Sequence, residues 1–400
     1  MRERSRLPIA MAAAASFFVW GVLSVLVGSI LPQVTDALAL SSFQAGMIFV
    51  VWSAGFVAGS AAAQRLLQAA PAHRLLLVLS VATGAAALAQ TQAQSYLVFT
   101  ALYGALGRFG GAVFTSSHTL YGALYPERRT SALASLDLVF SAGNIAAPLL
   151  VVALIAGGLS WRVAFALIGA AFLLCAVGFA VAGRLAKRPA AREAHRREAP
   201  ADEARPAAEP LDRLRLAALA IGAFGLGATE WAQHVWFVTY ALAMGADDVF
   251  ARLALSAFTA GMVVARVGAI AMGDALRSAS WVRFLLLLAV VSHATLVAAP
   301  SVPTMLVANL ALGLGIGALL PVFLGLAMDG DPARGASFSA VMIVSLTLGG
   351  QAASFTIGAL AERADVATAY AAAFGAVVIM AVGFETFRIA AHRAALAAAR

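Results

Sequence analysis

Two segments decide the fold: ALGRFGGA at residues 105–112 and ALGLGIGA at residues 311–318, which share a pattern of small residues at an offset of 206 positions. The same offset aligns PERRTS (126–131) with PARGAS (332–337), so that both segments read P-x-R-x-x-S. Matches of alanine and glycine are common in such a composition, but a repeated P-x-R-x-x-S is not. Further glycines fall on the same offset: Gly21 with Gly227, and Gly143 with Gly349. The chain is therefore predicted to consist of two related halves.

The composition indicates a lipid-facing surface. Apolar residues make up 62% of the 400 positions and charged residues only 12%, whereas a water-soluble domain carries about 25% charged residues. The formal net charge of +8 does not indicate nucleic-acid binding, because the arginines occur in short segments between apolar runs and form no basic face. The single cysteine, Cys175, excludes an intramolecular disulfide.

Apolar runs bounded by charged, proline or glycine-containing breaks predict an all-α membrane protein with twelve transmembrane helices. Each run is long enough for a helix that crosses the hydrocarbon layer, and continuous runs are not the alternating segments of an outer-membrane barrel. The first run is interpreted as a helix and not as a cleaved signal peptide, because it spans a full bilayer. The predicted spans are 9–31, 43–63, 75–91, 96–120, 131–156, 163–184, 214–243, 250–272, 282–299, 303–328, 336–359 and 367–388.

The arginines predict the orientation and the domain organisation. They concentrate in alternate connections, so the positive-inside rule places both termini in the cytoplasm of a bacterial inner membrane. Residues 185–212 form the only long polar stretch, rich in Ala, Arg, Glu and Pro, and are predicted to be a cytoplasmic linker. The predicted domains are therefore a six-helix bundle at 1–184, the linker at 185–212, and a six-helix bundle at 213–400. Parallel repeats of this kind place a substrate site near the bilayer midplane.

Several motifs resemble those of the major facilitator superfamily. The segment 107–111 (GRFGG) is similar to the arginine-glycine motif of its helix 4, and 125–133 followed by Gly143 and Pro148 resembles its loop and helix 5 pattern. Within the superfamily, the chain looks closest to the fucose-permease-like sugar:proton symporters. The features that carry this similarity are GATE at 227–230, Trp236, Tyr240, and the glycines Gly313, Gly315 and Gly317 with Pro321.

Three features depart from these patterns or keep them only in part. The loop after helix 2 carries Gln64 and Arg65 where the gating motif of the superfamily has an acidic residue, while the loop after helix 8 keeps Asp274 and Arg277. Asp137 stands where the closest subgroup has a histidine. The resemblance therefore implies the fold and secondary transport more strongly than it implies a sugar.

Deep titratable residues are the candidates for proton coupling. Glu230 lies near the middle of helix 7 with His234 one turn further on the same face. A carboxyl group in apolar surroundings can alternate between its neutral and charged forms, and histidine titrates near neutrality. Asp137 and His118 lie about 9 Å from the inner face on adjoining helices, so a direct pair is expected. The alternatives are an internal hydrogen-bonded pair at Glu230–His234 and an inner gate latch at His118–Asp137.

Arg108, halfway through helix 4, is the main candidate for substrate binding or charge switching, because a mid-span arginine is costly to insert. The alternative is a structural partner for backbone carbonyl groups. Further candidates are aromatic or polar side chains near mid-span, for which helix packing is the alternative role. They are His118, Trp20, Trp52, Asn144, Gln233, Phe237, Asn309 and Gln351.

The resemblance also implies a cytoplasmic gate. Arg266 near the end of helix 8, Asp274 and Arg277 in the loop that follows, and Arg128 in the equivalent region of the first half take this role. Glu385 is expected to interact with Arg388, one turn away, at a helix end.

No enzymatic motif accompanies these residues. The sequence has no Walker loop, no H-E-x-x-H and no nucleophile elbow, so no cofactor, metal or enzyme activity is predicted. The leading hypothesis is a secondary transporter coupled to protons through Glu230. Its expected partners are a small-molecule substrate, the proton and membrane lipid, without an obligatory protein partner. Alternatives are proton-driven efflux of amphipathic compounds, a metal carrier using His118, His234 and methionines, and a transporter-derived sensor acting through the linker.

Overall fold

The computed structural model describes residues 3–126, 129–185, 213–298, 301–330 and 335–398, and the regular elements within these ranges are all helical. Arg128 and the predicted linker, apart from its first residue, lie outside the described residues. The first half contains α1 (Glu3–Leu38), α2 (Ser42–Ala69), α3 (Ala72–Gln90), α4 (Tyr96–Leu124), α5 (Arg129–Ala156) and α6 (Arg162–Leu185). The second half contains α7 (Arg213–Ala243), α8 (Asp248–Met272), a 3₁₀ turn (Gly273–Arg277), α9 (Ala279–Ala298), α10 (Val302–Ile316), α11 (Leu319–Gly330), α12 (Gly335–Arg363), α13 (Val366–Ala371) and α14 (Phe374–Ala398).

Within the described residues, eleven helical segments are long and apolar enough to cross a membrane. Eleven of the predicted spans lie largely within segments of this set. The first helix, α1, extends well beyond its predicted span, from Glu3 to Leu38. The remaining predicted span, 214–243, corresponds to α7, which has 31 residues but is not in the set. It is the helix that carries Glu230, Gln233 and His234, whose polar side chains lower its mean hydropathy. The all-helical membrane fold is confirmed, and the twelfth crossing stays a prediction.

Two of the predicted spans contain a short break in the helix, although each also forms one membrane-spanning segment, Pro303–Met328 and Val366–Arg393. The span 303–328 divides into α10 and α11 at Gly317 and Ala318, because Pro321 has no backbone N–H to donate to the carbonyl oxygen of Gly317. The span 367–388 divides into α13 and α14, where Gly375 N–H donates to Ala372 O at 3.0 Å. This three-residue bond spacing tightens the chain relative to an α-helix.

The carboxylate of Asp365 begins α13. It accepts hydrogen bonds from the backbone N–H of Thr368 at 2.8 Å and from the hydroxyl of the same residue at 2.7 Å. These bonds stabilise the charged carboxylate and lower the pKa of Asp365. The short helix is thus fixed by a side-chain cap at its first turn.

The chain forms two compact units, the first comprising Met1–Leu40 and Ile48–Ala204, the second Ser41–Met47 and Arg205–Arg400. The predicted domain limits at residues 184 and 213 stay predictions. In the first unit α1 packs on α5, α3 packs on α6, and α2 lies against α4. In the second unit α7 packs on α12 and α14, and α8 packs on α10.

Glycines allow the helix backbones of each unit to touch. A Cβ atom at Gly107 of α4 would lie 2.1 Å from the carbonyl oxygen of Trp52 in α2. A Cβ atom at Gly313 of α10 would lie 2.0 Å from the carbonyl oxygen of Phe258 in α8. Both distances are far below van der Waals contact, so only glycine permits these approaches. Trp52 and Phe258 are themselves 206 residues apart, as are Gly107 and Gly313.

The same correspondence holds at other helix pairs. In each case a glycine of one helix faces a carbonyl oxygen of the neighbouring helix. Both residues of a pair in the first unit have counterparts 206 positions later in the second unit. The pairs are Gly55–Gly104 with Gly261–Leu310, Gly21–Phe140 with Gly227–Leu346, and Gly143–Phe18 with Gly349–Phe224. The sequence repeat is therefore also a repeat of backbone contacts within each unit.

Gly107→Ala and Gly313→Ala should both destabilise the protein, because the added methyl group must push two backbones apart. Overpacking of this kind costs about 1–3 kcal/mol. The matched control is Gly268→Ala on α8, where an added Cβ meets nothing within 4 Å. Thermal unfolding of the purified protein in detergent measures the difference. Equal melting temperatures for Gly107→Ala and Gly268→Ala would show that the close approach does not limit stability.

Candidate functional site

The predicted contact between His118 and Asp137 is present. Nε2 of His118 lies 3.2 Å from Oδ1 of Asp137, and Nδ1 lies 2.9 Å from the carbonyl oxygen of Phe114 one turn earlier on α4. The imidazole is flanked by the rings of Phe17, with centroids 5.2 Å apart, and Phe114, with centroids 4.3 Å apart. The contact joins α4 to α5 within the first unit.

The hydrogen-bond geometry of this pair requires a proton. A carbonyl oxygen only accepts, so Nδ1 of His118 must carry the hydrogen that binds Phe114 O. In neutral histidine Nε2 then has a lone pair, which cannot bond to the lone pairs of an ionised Asp137 carboxylate. The Nε2–Oδ1 contact therefore forms as a hydrogen bond only when one further proton resides on the imidazole or on the carboxyl group. The two side chains are 26% and 52% exposed.

The predicted aromatic candidates Trp20 and Trp52 stack on each other within the first unit. Their ring centroids lie 5.8 Å apart at an interplanar angle of 5°, and Phe56 continues the stack 5.6 Å from Trp52. The indole ring of Trp20 covers Gly110, where a Cβ atom would approach to 1.8 Å. Both tryptophans are almost fully buried, so in this structure they pack the unit. A substrate-binding role for them stays a prediction.

Arg108 differs from these buried neighbours. Its side chain is exposed, and it has no hydrogen bond or ion pair with any residue in the described ranges. Its backbone is fixed, since Cβ atoms at Gly55 and Gly59 of α2 would lie 3.0 Å from Arg108 N and 1.8 Å from Arg108 O. Asn144 is buried and its Oδ1 accepts a hydrogen bond from the Ser24 hydroxyl at 3.1 Å, which links α5 to α1.

In the second unit, Glu230 and His234 share one face of α7 with Arg266 of α8 nearby. Arg266 acts electrostatically on both residues. Glu230 is half-buried and His234 is buried, with its ring 5.3 Å from that of Phe258 in an edge-on arrangement. Nε2 of His234 has no hydrogen-bond partner among the described residues. A carboxyl, an imidazole and a guanidinium group are therefore close enough for the charge of Arg266 to act on the other two.

Arg266 also supplies a hydrogen-bond donor to a backbone carbonyl group at the break between α10 and α11. Its Nε donates to the carbonyl oxygen of Gly317 at 3.3 Å, the acceptor that Pro321 leaves without its usual helical donor. At the equivalent positions of the first unit, the Ser60 hydroxyl donates to Gly111 O at 3.1 Å. The structure thus places the predicted gating residue Arg266 between a titratable carboxyl group and a helix break.

A second polar cluster in this unit was only partly predicted. Nε2 of Gln233 donates to the Tyr370 hydroxyl at 2.5 Å, and the ring of Tyr370 stacks on Tyr240 with centroids 4.1 Å apart. The imidazole of His293 also stacks on the ring of Tyr370, with centroids 5.7 Å apart. It is fully buried, and neither of its nitrogens has a hydrogen-bond partner within the described part of the chain. Phe237 packs beside them, 6.3 Å from Tyr370.

The other predicted residues lie apart from these clusters. Nδ2 of Asn309 donates to Ala254 O at 3.1 Å, and Gln351 is half-buried on α12. The guanidinium group of Arg277 lies against Gly325 of α11, 2.8 Å from a hypothetical Cβ atom there. Asp274 belongs to the 3₁₀ turn, but its side chain is not among those described, and Arg128 lies outside the described residues. Glu385 binds Arg388 at 2.6 Å, as expected, and also Arg283 at 3.0 Å.

Comparison with known proteins identifies the family of this arrangement. The family model described as Major Facilitator Superfamily matches residues 9–350. No curated protein sequence matches the chain significantly.

Several solved structures share the fold. A bacterial homolog to the human lysosomal transporter Spinster, in an inward-facing and occupied conformation, is 13% identical with a TM-score of 0.72, covering 98% of this chain and 97% of the homolog. The nucleoside transporter NupG is 14% identical with a TM-score of 0.72, covering 97% and 99%. The transporter FucP in an outward conformation is 17% identical with a TM-score of 0.62, covering 96% and 99%. At these identities the similarity shows the fold alone, and the fucose-permease-like subgroup stays a prediction.

The Arg266–Gly317 contact predicts a coupling between two substitutions. Pro321→Ala restores an N–H group that can bond to Gly317 O, so this carbonyl no longer depends on Arg266. Arg266→Gln should therefore destabilise the protein less in the Pro321→Ala background than in the wild type, with an interaction free energy of about 0.5–3 kcal/mol. Thermal or denaturant unfolding of the four proteins measures it. Strictly additive effects would contradict the proposed compensation.

Proposed function

The chain belongs to the major facilitator superfamily, and we propose that it is a secondary active transporter that moves a small solute across a bacterial inner membrane by alternating access, coupled to protons through Glu230. Superfamily membership supports secondary transport, and the arginine pattern of the loops supports the membrane and the cytoplasmic location of both termini. The proton as coupling ion is supported by the chemistry of the clusters in each unit.

The observation that carries the proton proposal is the placement of Glu230 with Arg266. When Glu230 is ionised, its carboxylate and the Arg266 guanidinium group compensate each other in a medium where a single charge is costly. When Glu230 binds a proton, that compensation is lost and the guanidinium group retains its bond to Gly317 O. The protonation state of Glu230 thus changes the interaction of Arg266 at the break between α10 and α11. An interrupted helix in a transporter is a place where the chain can bend with modest cost.

His234 modulates this cluster and Asp137 provides a second proton-binding position. His234 lies one turn from Glu230 and is under the same influence of Arg266. In the first unit, the His118–Asp137 contact can form as a hydrogen bond when the pair holds one additional proton. Each unit therefore contains a group that binds a proton within a spanning helix, which is what a proton-coupled cycle needs.

Other functions receive less support from the described contacts. Efflux of amphipathic compounds would use the same proton chemistry and differs only in the direction of solute movement. A metal carrier would need several ligands together, and the described residues contain no group of three or more His, Cys, Asp or Glu side chains suited to a metal ion. A sensor function depends on residues 185–212, most of which lie outside the described ranges.

Glu230→Gln should separate solute exchange across the membrane from uptake driven by a proton gradient. The variant keeps the shape of the side chain but cannot release a proton, so it should retain solute counterflow and lose accumulation driven by a pH gradient. Both are measured in proteoliposomes with the solute that most stabilises the purified protein in a panel of L-fucose, uridine, alanine and benzenesulfonate.

Glu385→Gln is the matched control, because Glu385 is also a carboxylate on a helix of the second unit but is held by Arg388 and Arg283. It should keep gradient-driven accumulation within about threefold of the wild type, a change of less than roughly 0.7 kcal/mol. Undiminished accumulation by Glu230→Gln would overturn the assignment of coupling to this residue.

A further inference from the structure

Several charged side chains of the spanning helices have partners among the described residues. Asp137 contacts His118, and Glu230 lies within the electrostatic influence of Arg266. Glu385 binds Arg388 and Arg283, and Arg252 binds Asp248 at 2.9 Å. Arg108 alone of the arginines deep in a span has no hydrogen bond or ion pair with any residue that the structure describes. Its positive charge is therefore not compensated by any residue that the structure describes.

An arginine in this position is not needed by the scaffold. The residue 206 positions further on is Leu314, which lies between Gly313 and Gly317 on the equivalent face-to-face contact of α10 with α8. The same packing thus accepts an uncharged side chain. A mid-span arginine costs a few kcal/mol on insertion scales, so a residue that neither the packing nor a counter-ion requires indicates a function for the charge.

The position of Arg108 is also well fixed. Gly55 and Gly59 bring the backbone of α2 against the backbone N and O atoms of Arg108, so the position of its Cα atom is fixed. The side chain itself is exposed. Arg108 lies about 18 Å along α4 from Tyr96 and about 24 Å from Leu124, at 1.5 Å of rise per residue. A lipid headgroup at either membrane surface does not reach this depth, which favours a solute as the partner of the guanidinium group.

We propose that Arg108 recognises an anionic group of the transported solute, and that the solute is a small monovalent oxyanion such as a carboxylate or a sulfonate. This proposal rests on the transport function proposed above and narrows its substrate class. A guanidinium group offers parallel N–H donors that match two oxygens of such a group. One uncompensated positive charge corresponds to one negative charge on the solute. A neutral sugar or nucleoside leaves that charge without a partner.

Matched pairs of anions and neutral amides test the proposal directly. The probes are benzoate with benzamide, and benzenesulfonate with benzenesulfonamide, added to the purified full-length protein in nanodiscs of zwitterionic phosphatidylcholine. This lipid removes anionic headgroups as an alternative source of the negative group. The anions should raise the melting temperature in a saturable manner, and their neutral partners should not.

Substitutions assign the effect to the residue. Arg108→Leu, which introduces the side chain that the second unit carries at Leu314, should weaken anion binding at least about tenfold, as expected for the loss of a charge-assisted hydrogen bond. Arg108→Lys should retain part of the binding. Arg74→Gln, which removes an exposed arginine near the start of α3, should bind anions like the wild type. The melting temperature without ligand shows whether each variant is folded.

The results separate this proposal from the transport function. If neither anion is distinguished from its neutral partner, or if folded Arg108→Leu binds anions like the wild type, the anion proposal is wrong. Proton-driven uptake of uridine or L-fucose without binding of the anions would leave the transport function standing and overturn the anion class. Binding of the anions through Arg108 without flux of benzenesulfonate under a pH gradient would support the anion site and count against proton-coupled transport.

Discussion

Contact between helix backbones at glycine residues is the constraint on which the rest of this structure depends. Lipid tails are as apolar as leucine side chains, so helices in a membrane gain little from hiding apolar surface from one another, and close packing with small residues takes its place. At Gly107, Gly313 and their counterparts, a single added carbon atom would collide with a carbonyl oxygen of the neighbouring helix. These contacts fix α2 on α4, α8 on α10, α1 on α5 and α7 on α12. They also fix where each functional side chain begins, as for Arg108 between Gly55 and Gly59.

The repeated contacts contrast with chemistry that is not repeated. The titratable and charged residues of the candidate clusters correspond to residues of different character in the other unit. The pairs at an offset of 206 are Ser24 and Glu230, Ser60 and Arg266, Arg108 and Leu314, His118 and Leu324, and Asp137 and Ile343. The two units therefore share a scaffold, while the first presents an unpaired guanidinium group and a His–Asp pair and the second presents a carboxyl group beside an arginine. A duplicated frame can acquire different chemistry in each copy, because the packing constrains the glycines and not these positions.

Much of the fold follows from one-dimensional patterns, and the limits of prediction have physical causes. The repeat at 206 residues, the helical membrane architecture and the family are readable from the sequence because each depends on composition or local spacing. The His118–Asp137 contact is also accessible, since the short connection between α4 and α5 makes them neighbours. By contrast, the burial of Trp20 beneath Gly110 and the Gln233–Tyr370–His293 cluster depend on which faces of distant helices meet. Pro321 indicates a disturbed helix, but nothing in the sequence shows that Arg266 occupies the carbonyl group it leaves free.

The central claim is that proton and solute move together through one protein. Thermodynamic linkage is reciprocal, so a solute gradient must move protons as surely as a proton gradient moves solute. The direct measurement uses wild-type proteoliposomes with equal pH on both sides and a lumenal pH indicator, to which benzenesulfonate, an anion that does not carry a proton at neutral pH, is added outside. A lumenal pH change that follows solute entry and is abolished by a protonophore is the result that this account predicts. Solute entry with an unchanged lumenal pH would contradict it.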